Sequence, residues 1–453
     1  MKIKKRDLST YSIILSVFVI SILIFTSKLW RHENQVIGSD VILYYSYLPA
    51  TFIFDDIRLE KSETLSKGVF WPEKAPNGTN IIKTSMGMSF LYAPSFFAGH
   101  AWAKLFGYPA YGYSEPYKIA LLIGAILYLI LGLIFLRKIL KNFFSDEVTA
   151  MTIMALVLGT NLAHYASREA TMTHLYSFTF FCVFIWGTIQ WYKNPKLTSL
   201  LMLGALSGLM GLIRPTNILI LVFFFLYEVS SWKALTQRIQ YFIKHFHWLI
   251  LMFFAFLLIW IPQFMYWKLI TGNFLYFSYK GESFFFNNPQ IMNGLFSYRK
   301  GWFLYTPMMM LAVIGIPFMF KQIKELSWAV SILIVLNIYI VLSWWCWWYG
   351  GGFGQRAMID SYALLAFPFA TLLTISKQYG RYLYKALYVL VFVLILHNQF
   401  QLEQYKYGSI HYDSMTKAAY WKSFGHLHPP GDYWPLLKTP DVEKALKGEK
   451  EYP

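Results

Sequence analysis

Charged residues and cysteines are what this sequence has least of. Of its 453 residues only 14% are charged, whereas 57% are hydrophobic and 20% are aromatic. Soluble globular domains carry about 25% charged residues, so this composition excludes an ordinary soluble protein and indicates a membrane protein with several spans. Two cysteines are too few for a disulfide framework, and Cys182 and Cys346 lie in apolar and tryptophan-rich surroundings that do not suit a zinc knuckle.

Acidic residues are scarce as well, with 23 Asp and Glu against 40 Lys and Arg, which gives a net charge of +17. We do not interpret this charge as nucleic-acid binding, because the basic residues form short clusters between apolar runs, as the positive-inside rule requires. The chain also lacks a P-loop. The segment Gly352–Ala357 matches the dinucleotide fingerprint in letters only, since no strand and no βαβ unit precede it.

Apolar runs of about 16–22 residues recur along the chain, and each is long enough to span a bilayer as a helix. They lie near 10–30, 117–136, 148–165, 172–192, 198–213, 215–231, 247–268, 302–320, 327–346, 357–375 and 383–398. We predict an all-α polytopic membrane protein with about eleven transmembrane helices. The first run resembles a signal peptide, but no small-residue cleavage site follows it, so we predict an uncleaved first span.

The basic clusters predict an orientation for these spans. Lys2, Lys4, Lys5 and Arg6 place the N-terminus in the cytoplasm, and the C-terminus then lies outside. The transmembrane domain would cover residues 1–398, with outer loops at 31–116 and 269–301, and residues 399–453 would form a tail on the outer face. The long first loop would carry interfacial helices. Short loops and the absence of internal targeting motifs favour the inner membrane of a bacterium.

The unusual polar residues converge on the predicted outer face. Asp40 is the first candidate, as a general base or a metal ligand, with a helix cap or a solvated loop residue as the alternative. Asp55 and Asp56 suggest a solvated pair, and either would supply a second carboxylate if one is needed. His164 and His174 do not have a recognised metal-ligand spacing, so we favour contact with a substrate or the interface there.

Five basic residues on this face are candidates for binding a phosphate, because guanidinium and ammonium groups at membrane depth usually have an anionic partner. They are Arg214, Arg356, Arg168, Arg299 and Lys300. The alternative for Arg356 is an ion pair with Asp360, four residues later on a helix. The alternative for Arg214 is extension of its side chain to the interface.

The run Trp344–Arg356 joins five indole or phenol rings to four glycines and an arginine. Aromatic rings favour the membrane interface, and glycines allow the backbone to approach a ligand closely. We therefore interpret this run as one wall of a site at the membrane surface.

Taken together, the sequence resembles the GT-C glycosyltransferases, the class that includes protein O-mannosyltransferases and lipid A aminoarabinose transferases. The resemblance lies in Gly38-Ser39-Asp40, Met86–Pro94, His174–Ser177, Arg214–Asn217 and Trp348–Arg356. It implies transfer of a sugar from a polyprenyl-phosphate donor to a glycan, lipid or protein acceptor on the outer face, with inversion. Many relatives have an acidic pair where this chain has Asp40-Val41, so a requirement for a divalent cation such as Mg²⁺ or Mn²⁺ stays open.

The resemblance also implies roles for individual residues. Asp40 would accept the acceptor's proton, and the basic residues would stabilise the departing lipid phosphate. The prenyl chain or the sugar would contact a group of aromatic and polar residues, namely His174, Tyr44, Trp344, Trp345, Trp348 and Gln355. Two other functions stay open: a transporter or flippase of a lipid-linked sugar, and a polymerase or ligase of surface polysaccharide.

Overall fold

The computed structural model describes residues 7–61 and 72–450. About 68% of the chain is helical, and the chain is an all-α polytopic membrane protein. The basic residues Lys2–Arg6, from which the orientation is predicted, lie outside the described residues.

The chain up to residue 105 contains a long first helix, several short helices, a pair of two-residue strands and a second long helix. The elements up to residue 105 are α1 (Leu8–Ser27), a 3-10 turn (Leu29–Arg31), α2 (Asp40–Tyr45), α3 (Tyr47–Phe52), β1 (Glu73–Lys74), β2 (Asn80–Ile81) and α4 (Gly87–Leu105). Strands β1 and β2 are antiparallel, with Glu73 opposite Ile81. The apolar segment that starts at Met86 is thus a helix, as the sequence predicts.

Every predicted apolar run contains a helix. The elements of this part are α5 (Glu115–Leu140), α6 (Asp146–Leu158), α7 (Leu162–Tyr165), α8 (Thr173–Lys193), α9 (Leu197–Ile213), a 3-10 segment (Pro215–Ile220), α10 (Leu221–Leu226), α11 (Trp232–Lys244), α12 (Phe246–Thr271), α13 (Ile291–Phe296), α14 (Trp302–Tyr305), α15 (Met308–Gln322), α16 (Lys324–Leu342), a 3-10 segment (Arg356–Ser361), α17 (Tyr362–Tyr379) and α18 (Arg381–Tyr407). The tail adds α19 (Lys417–Ser423), a 3-10 turn (Trp434–Leu436) and α20 (Val442–Leu446).

Six of the described helical stretches are long and apolar enough to cross a membrane. They are Leu8–Arg31, Glu115–Leu140, Phe246–Thr271, Lys324–Leu342, Arg356–Tyr379 and Arg381–Tyr407, and three shorter apolar helices cover Leu197–Ile213, Pro215–Leu226 and Met308–Gln322. Several predicted runs are broken because proline and glycine interrupt them. The run 302–320, for example, divides before Pro307, since a residue that precedes proline is disfavoured in the α conformation.

Glycine allows two of these helices to pack closely. A side chain on Gly204 of α9 would collide with the carbonyl oxygen of Met252 on α12. Small residues at such crossings are typical of helix packing in membranes, where close backbone approach replaces the hydrophobic driving force.

Charged side chains gather at both ends of the helical bundle. At one end, Asp7 precedes α1 and Arg137 lies in the last turn of α5, with their side chains 2.7 Å apart. Helix α18 starts at this end, where Tyr384 donates to Glu147, and Glu403 near its other end pairs with Arg168. The 19 residues between these contacts rise about 30 Å, which is the thickness of a bilayer's hydrocarbon core.

The predicted division at residue 398 falls inside α18, which continues to Tyr407. The chain beyond this helix packs on the end of the bundle that carries Asp40 and Arg356. The amide of Gly352, for example, donates to the carbonyl of Tyr412 at 3.2 Å. The domain boundary itself stays a prediction.

Candidate active site

Asp40 and Arg356 form an ion pair across 316 positions of sequence. Asp40 is the first residue of α2, and Arg356 begins the 3-10 segment before α17. An Arg356 terminal nitrogen lies 3.0 Å from the Asp40 Oδ2 atom, and the exposed fractions of the two side chains are 14% and 45%. The Asp40 carboxylate is thus open to solvent on one side and held by a largely buried cation on the other.

Asp360 is the partner of Arg214, and the alternative pairing of Arg356 with Asp360 is not the one observed. Arg214 Nη1 lies 3.0 Å from Asp360 Oδ2, and His174 Nδ1 lies 3.1 Å from Asp360 Oδ1. Asp360 is 5% exposed and His174 is 3% exposed. Arg214 Nη1 is also 3.1 Å from His174 Nδ1. One buried carboxylate therefore holds an arginine from the end of α9 and a histidine from the first turn of α8.

The two pairs share one electrostatic environment, and we call Asp40, His174, Arg214, Arg356 and Asp360 the site cluster. Burial raises the pKa of the Tyr44 hydroxyl well above its ordinary value; the charge of Asp40 raises it further, and Arg214 and Arg356 oppose this. Burial and then the charge of Asp40 likewise raise the pKa of Tyr279 to about 12. Both phenols stay protonated at neutral pH, so they can donate hydrogen bonds to a bound oxyanion.

The aromatic and glycine run places Arg356 by wrapping around Tyr165 and Lys300. Gly352 has φ of +154°, and a side chain there would overlap the Tyr165 hydroxyl. That hydroxyl accepts a hydrogen bond from the amide of Phe353 at 3.1 Å, and the Lys300 ammonium donates to the carbonyl of Gly352. Glycine is required at position 352 because no other residue leaves room for this approach.

Tyr349 belongs to the same run and packs against the site cluster. Its ring lies 5.5 Å from the Arg214 guanidinium carbon, a cation–π distance. Tyr349 itself has φ of +55°, which is uncommon for a residue with a side chain. A strained position that faces a buried arginine is typical of a functional site.

Other residues of the run Trp344–Arg356 contact protein groups around the site cluster. Gln355 donates to the carbonyl of Trp347 at 2.8 Å, and Trp345 donates to Glu282 at 2.8 Å. Trp344 lies against Phe284 with ring centres 4.6 Å apart. Trp348 is buried and lies 5.7 Å from the Arg299 guanidinium. Thus the described contacts of Gln355 and Trp348 are with other protein groups, whereas Trp344 and Trp345 are partly exposed.

Lys300 is a buried cation beside the site cluster. Burial and the charge of Arg356 lower the pKa of Lys300 to about 7, although Glu169 and Asp413 act in the opposite direction. Glu169 lies 3.2 Å from His164. Lys300 is therefore partly neutral near physiological pH, unlike an arginine at the same place.

Arg168 and Arg299 contact the C-terminal part of the chain. Arg168 donates to the carbonyl of Leu402 and pairs with Glu403. Arg299 is 1% exposed, and it donates to the carbonyls of Asp413 at 3.3 Å and Lys438 at 3.4 Å. Their described contacts thus fasten α18 and the tail to the bundle.

The described side chains do not assemble a ligand set for a divalent cation. In residues 7–61 and 72–450 there is no group of three or more His, Cys, Asp or Glu that could hold a metal ion. The Asp40 carboxylate is paired with Arg356. Asp56 accepts hydrogen bonds from the amides of Glu60 and Lys61 at 3.0 and 2.9 Å, and its neighbour Asp55 has φ of +50°.

Sequence reasoning missed the role of Asp360 as the shared partner of Arg214 and His174. The only indication in the sequence was that Asp360 lies four residues after Arg356. That spacing predicts a pair with Arg356, whereas the observed partner is Arg214. Tyr165 and Tyr279 were missed as well, because a tyrosine in an aromatic-rich membrane protein carries no local signal of its neighbours.

No protein-family model and no curated protein matches this chain. Among solved structures, it is similar to the archaeal oligosaccharyltransferase AglB from Archaeoglobus fulgidus in complex with an inhibitory peptide and a dolichol-phosphate, with a TM-score of 0.50 and 11% identity over 100% of this chain and 60% of that one. The apo form of an oligosaccharyltransferase from the same organism gives a TM-score of 0.53 and 11% identity, over 100% and 61% of the two chains. AglB is a GT-C glycosyltransferase, so the resemblance is confirmed for the fold.

Proposed function

We propose that this chain is a glycosyltransferase that moves a sugar from a polyprenyl-phosphate donor to an acceptor at the site cluster. The pairing of Asp40 with Arg356 carries the proposal. It sets a carboxylate that can take a proton beside a fixed cation that can hold a phosphate. The chain spans about three-fifths of the length of the solved structures it is similar to, and that similarity supports the fold on which the proposal rests.

The proposed reaction is a single displacement. An acceptor hydroxyl gives its proton to the Asp40 carboxylate while its oxygen forms a bond to the anomeric carbon of the sugar. The bond from that carbon to the phosphate oxygen breaks, and the lipid phosphate leaves with the electron pair. Attack from the side opposite the leaving group inverts the anomeric configuration. The protein groups that this displacement uses are a base, cations that hold the phosphate and side chains that align the two substrates.

Arg356 and Arg214 would stabilise the charge that develops on the leaving phosphate. Both guanidiniums are permanently charged, and each has N–H groups beyond those in its ion pair. A charge-assisted hydrogen bond contributes about 1.5–3 kcal/mol, so two of them would stabilise the transition state substantially. Donor binding would also draw Arg356 toward the phosphate and leave Asp40 better able to accept a proton.

The donor class is supported by an independent comparison. One of the similar structures contains a dolichol-phosphate, which is a polyprenyl phosphate. In this chain, Trp344, Tyr279 and Phe284 form an aromatic group at the site cluster's margin, with Tyr279 and Trp344 6.2 Å apart. Such rings suit either the prenyl chain or a sugar face. His174, Tyr44, Trp345, Trp348 and Gln355 complete the substrate contacts that we propose.

We assign the remaining basic residues to supporting positions. Lys300 lies behind Gly352 and adds to the positive potential at the phosphate, while Arg168 and Arg299 hold the tail against the same face. Asp55 and Asp56 remain candidates for a second carboxylate. The acceptor class in this proposal is a glycan, a lipid or a protein.

We place the site cluster on the outer face of a bacterial inner membrane, with the N-terminus in the cytoplasm and the C-terminus outside. The positive-inside rule supports this orientation. The position of the site cluster also supports an enzyme over a flippase, since the cluster lies at one end of the bundle whereas transporters bind substrates near the bilayer midplane.

The test uses the full chain in lipid vesicles with a panel of polyprenyl-phosphate sugars and with glycans, lipids and peptides as acceptors. Release of free polyprenyl phosphate would be measured for the wild-type chain, for Asp40→Asn and for Asp7→Asn as a control with a carboxylate at the far end of the bundle. We expect release to require Asp40 and not Asp7. Movement of intact lipid-linked sugar between leaflets without cleavage would refute the proposal and support a flippase.

A further inference from the structure

Helix α11 is a short polar helix that the site does not use. It has 13 residues, from Trp232 to Lys244, and none of them is buried. At 1.5 Å per residue it is about 20 Å long, so it is too short to span a bilayer. It connects α10 to α12, which is 26 residues long and is one of the candidate spans.

One face of α11 rests on the ends of two other helices. The Arg238 guanidinium lies 4.1 Å from the ring of Tyr192, which is in the last turn of α8. Phe242 packs on Phe224 and Phe225 in the last turn of α10, at 5.8 and 5.3 Å between ring centres. These contacts place α11 at the level where the spans end, which is the level of the membrane surface.

A second face of α11 is apolar and exposed. Trp232, Ile239 and Ile243 are 85%, 52% and 68% exposed. Their spacing of seven and four residues places all three within about 40° of each other around the helix, because successive residues are turned by about 100°. The stripe precedes α12, whose most apolar stretch is only 11% buried, so that most of the surface of α12 is available to lipid.

A third face is polar and carries only positive charge. Lys233, Gln237, Gln240 and Lys244 lie together on it and are exposed, and α11 contains no acidic residue. Lys193 and Lys196, which follow α8, are also exposed. An apolar stripe beside a row of lysines is the pattern of a helix that lies in the interface of an anionic membrane.

We propose that α11 lies in the headgroup region of the bilayer and binds anionic phospholipid headgroups through Lys233 and Lys244, with its apolar stripe at the boundary of the acyl chains. A second copy of the chain is a poorer occupant of this surface. A symmetric dimer through the stripe would place the lysine rows of both copies next to each other. Arg238, held against Tyr192, fixes the rotation of the helix so that the stripe faces the lipid.

The experiment measures the depth of two positions on α11 in the full chain. Cys182→Ala and Cys346→Ser first remove the two native thiols. A nitroxide label is then attached at Ile239→Cys in the stripe or at Gln237→Cys on the polar face, and the protein is placed in vesicles of phosphatidylcholine with or without phosphatidylglycerol. Collision with oxygen reports contact with acyl chains, and collision with a nickel chelate reports contact with water.

We expect the label at 239 to collide mainly with oxygen and the label at 237 mainly with the nickel chelate. Phosphatidylglycerol should shift the label at 239 to greater depth, and high salt should reduce that shift because it screens the lysines. Lys233→Gln with Lys244→Gln should abolish the dependence on phosphatidylglycerol while the protein stays folded.

Three results would overturn the proposal. The first is equal nickel accessibility at 237 and 239, which would place the stripe in water. The second is an unchanged phosphatidylglycerol shift after both lysines are neutralised. The third is dipolar broadening between labels at 239 that disappears on dilution with unlabelled chain, which would show that a second copy covers the stripe.

Discussion

The two charged clusters at the ends of the bundle use similar residue types in different surroundings. The Asp7 cluster, which consists of Asp7, Arg137, Lys141 and Asp146, lies at the surface, where Asp7 is 47% exposed and Lys141 39%. In the site cluster, Asp360 is 5% exposed, and Arg214 and Arg356 are 15% and 14% exposed. Ion pairs in contact with water contribute little stability, whereas buried charges depend strongly on their partners.

The pKa values of two residues show the same contrast. Hydrogen bonds from Arg137 and Thr10 lower the pKa of the Asp7 carboxyl well below its usual range, because its charged form is the favoured one. Burial lowers the pKa of Lys300, because there the charged form is penalised. Asp7 thus accommodates its charge easily at the surface, whereas Lys300, buried beside the site cluster, holds a charge that a ligand of opposite sign would stabilise.

The largest expected difference between the clusters is in transfer activity. Asp40→Asn should reduce sugar transfer by about 10²–10⁴-fold, the usual contribution of a general base, whereas Asp7→Asn should leave it near the wild-type rate. Release of polyprenyl phosphate under single-turnover conditions measures the step directly. Equal rates for the two variants would remove Asp40 from the chemistry.

The next expected difference between the two clusters is in the free energy of unfolding. Asp360→Asn leaves Arg214 as an uncompensated buried charge, so we expect a loss of about 3–5 kcal/mol in the free energy of unfolding. Asp146→Asn at the exposed cluster should cost about 1 kcal/mol or less. Chemical unfolding of the detergent-solubilised chain measures both.

A double variant tests the cause of that loss. Arg214→Met with Asp360→Leu removes both buried charges and should recover most of the stability, while transfer stays impaired because the phosphate has lost one cation. If the double variant is as unstable as Asp360→Asn alone, the loss came from packing and not from the unpaired charge.

The shape of the arginine side chain should give a smaller difference in transfer rate between the two clusters. Arg356→Lys keeps the charge but loses the planar fork, and should slow transfer by about 10–100-fold, which corresponds to one charge-assisted hydrogen bond of about 1.5–3 kcal/mol. The matched change Arg137→Lys in the Asp7 cluster should leave the rate close to that of the wild-type chain, because Arg137 lies at the opposite end of the bundle from the site cluster. Wild-type turnover with Arg356→Lys would argue against bidentate phosphate binding.

The pH dependence of stability tests a single group beside the site cluster, Lys300. The pKa of Lys300 is about 7 in the folded chain and about 10.4 when unfolded, so between these values the unfolded state binds more protons. Stability should therefore rise with pH in this window, by at most about 1.4 kcal/mol per pH unit, and the rise should end near pH 10. Lys300→Met should flatten that rise when the midpoint of chemical unfolding is followed from pH 7 to 9.5. A slope that does not change in Lys300→Met would assign the titration to another group.

Much of the fold could be predicted from the sequence, because apolar length and helix formation are local properties. Each of the eleven predicted runs contains a helix, but their ends were less well predicted. The run 327–346 ends as a helix at Leu342, so the tryptophans that follow lie in an irregular segment. Hydropathy does not detect this end, since tryptophan is as compatible with a helix as with an aromatic belt.

The candidate site was predicted in part. Asp40, Arg214, Arg356 and His174 were each selected from their predicted position at one membrane face, and the structure brings all four together. Arg168 and Arg299 were selected by the same reasoning, yet their described contacts are with the C-terminal part of the chain. Charge and sidedness limit which end of the bundle a residue reaches, but they do not determine its neighbours there.

The sequence by itself determined that this chain is a helical membrane protein and that its unusual polar residues share one face, because both follow from composition and from the order of apolar runs. Only the tertiary structure decided that Arg356 pairs with Asp40 and that Asp360 holds Arg214 and His174. These contacts join residues as many as 316 positions apart, and they depend on how α2, α8, α9 and the segment before α17 pack together, which no local pattern encodes.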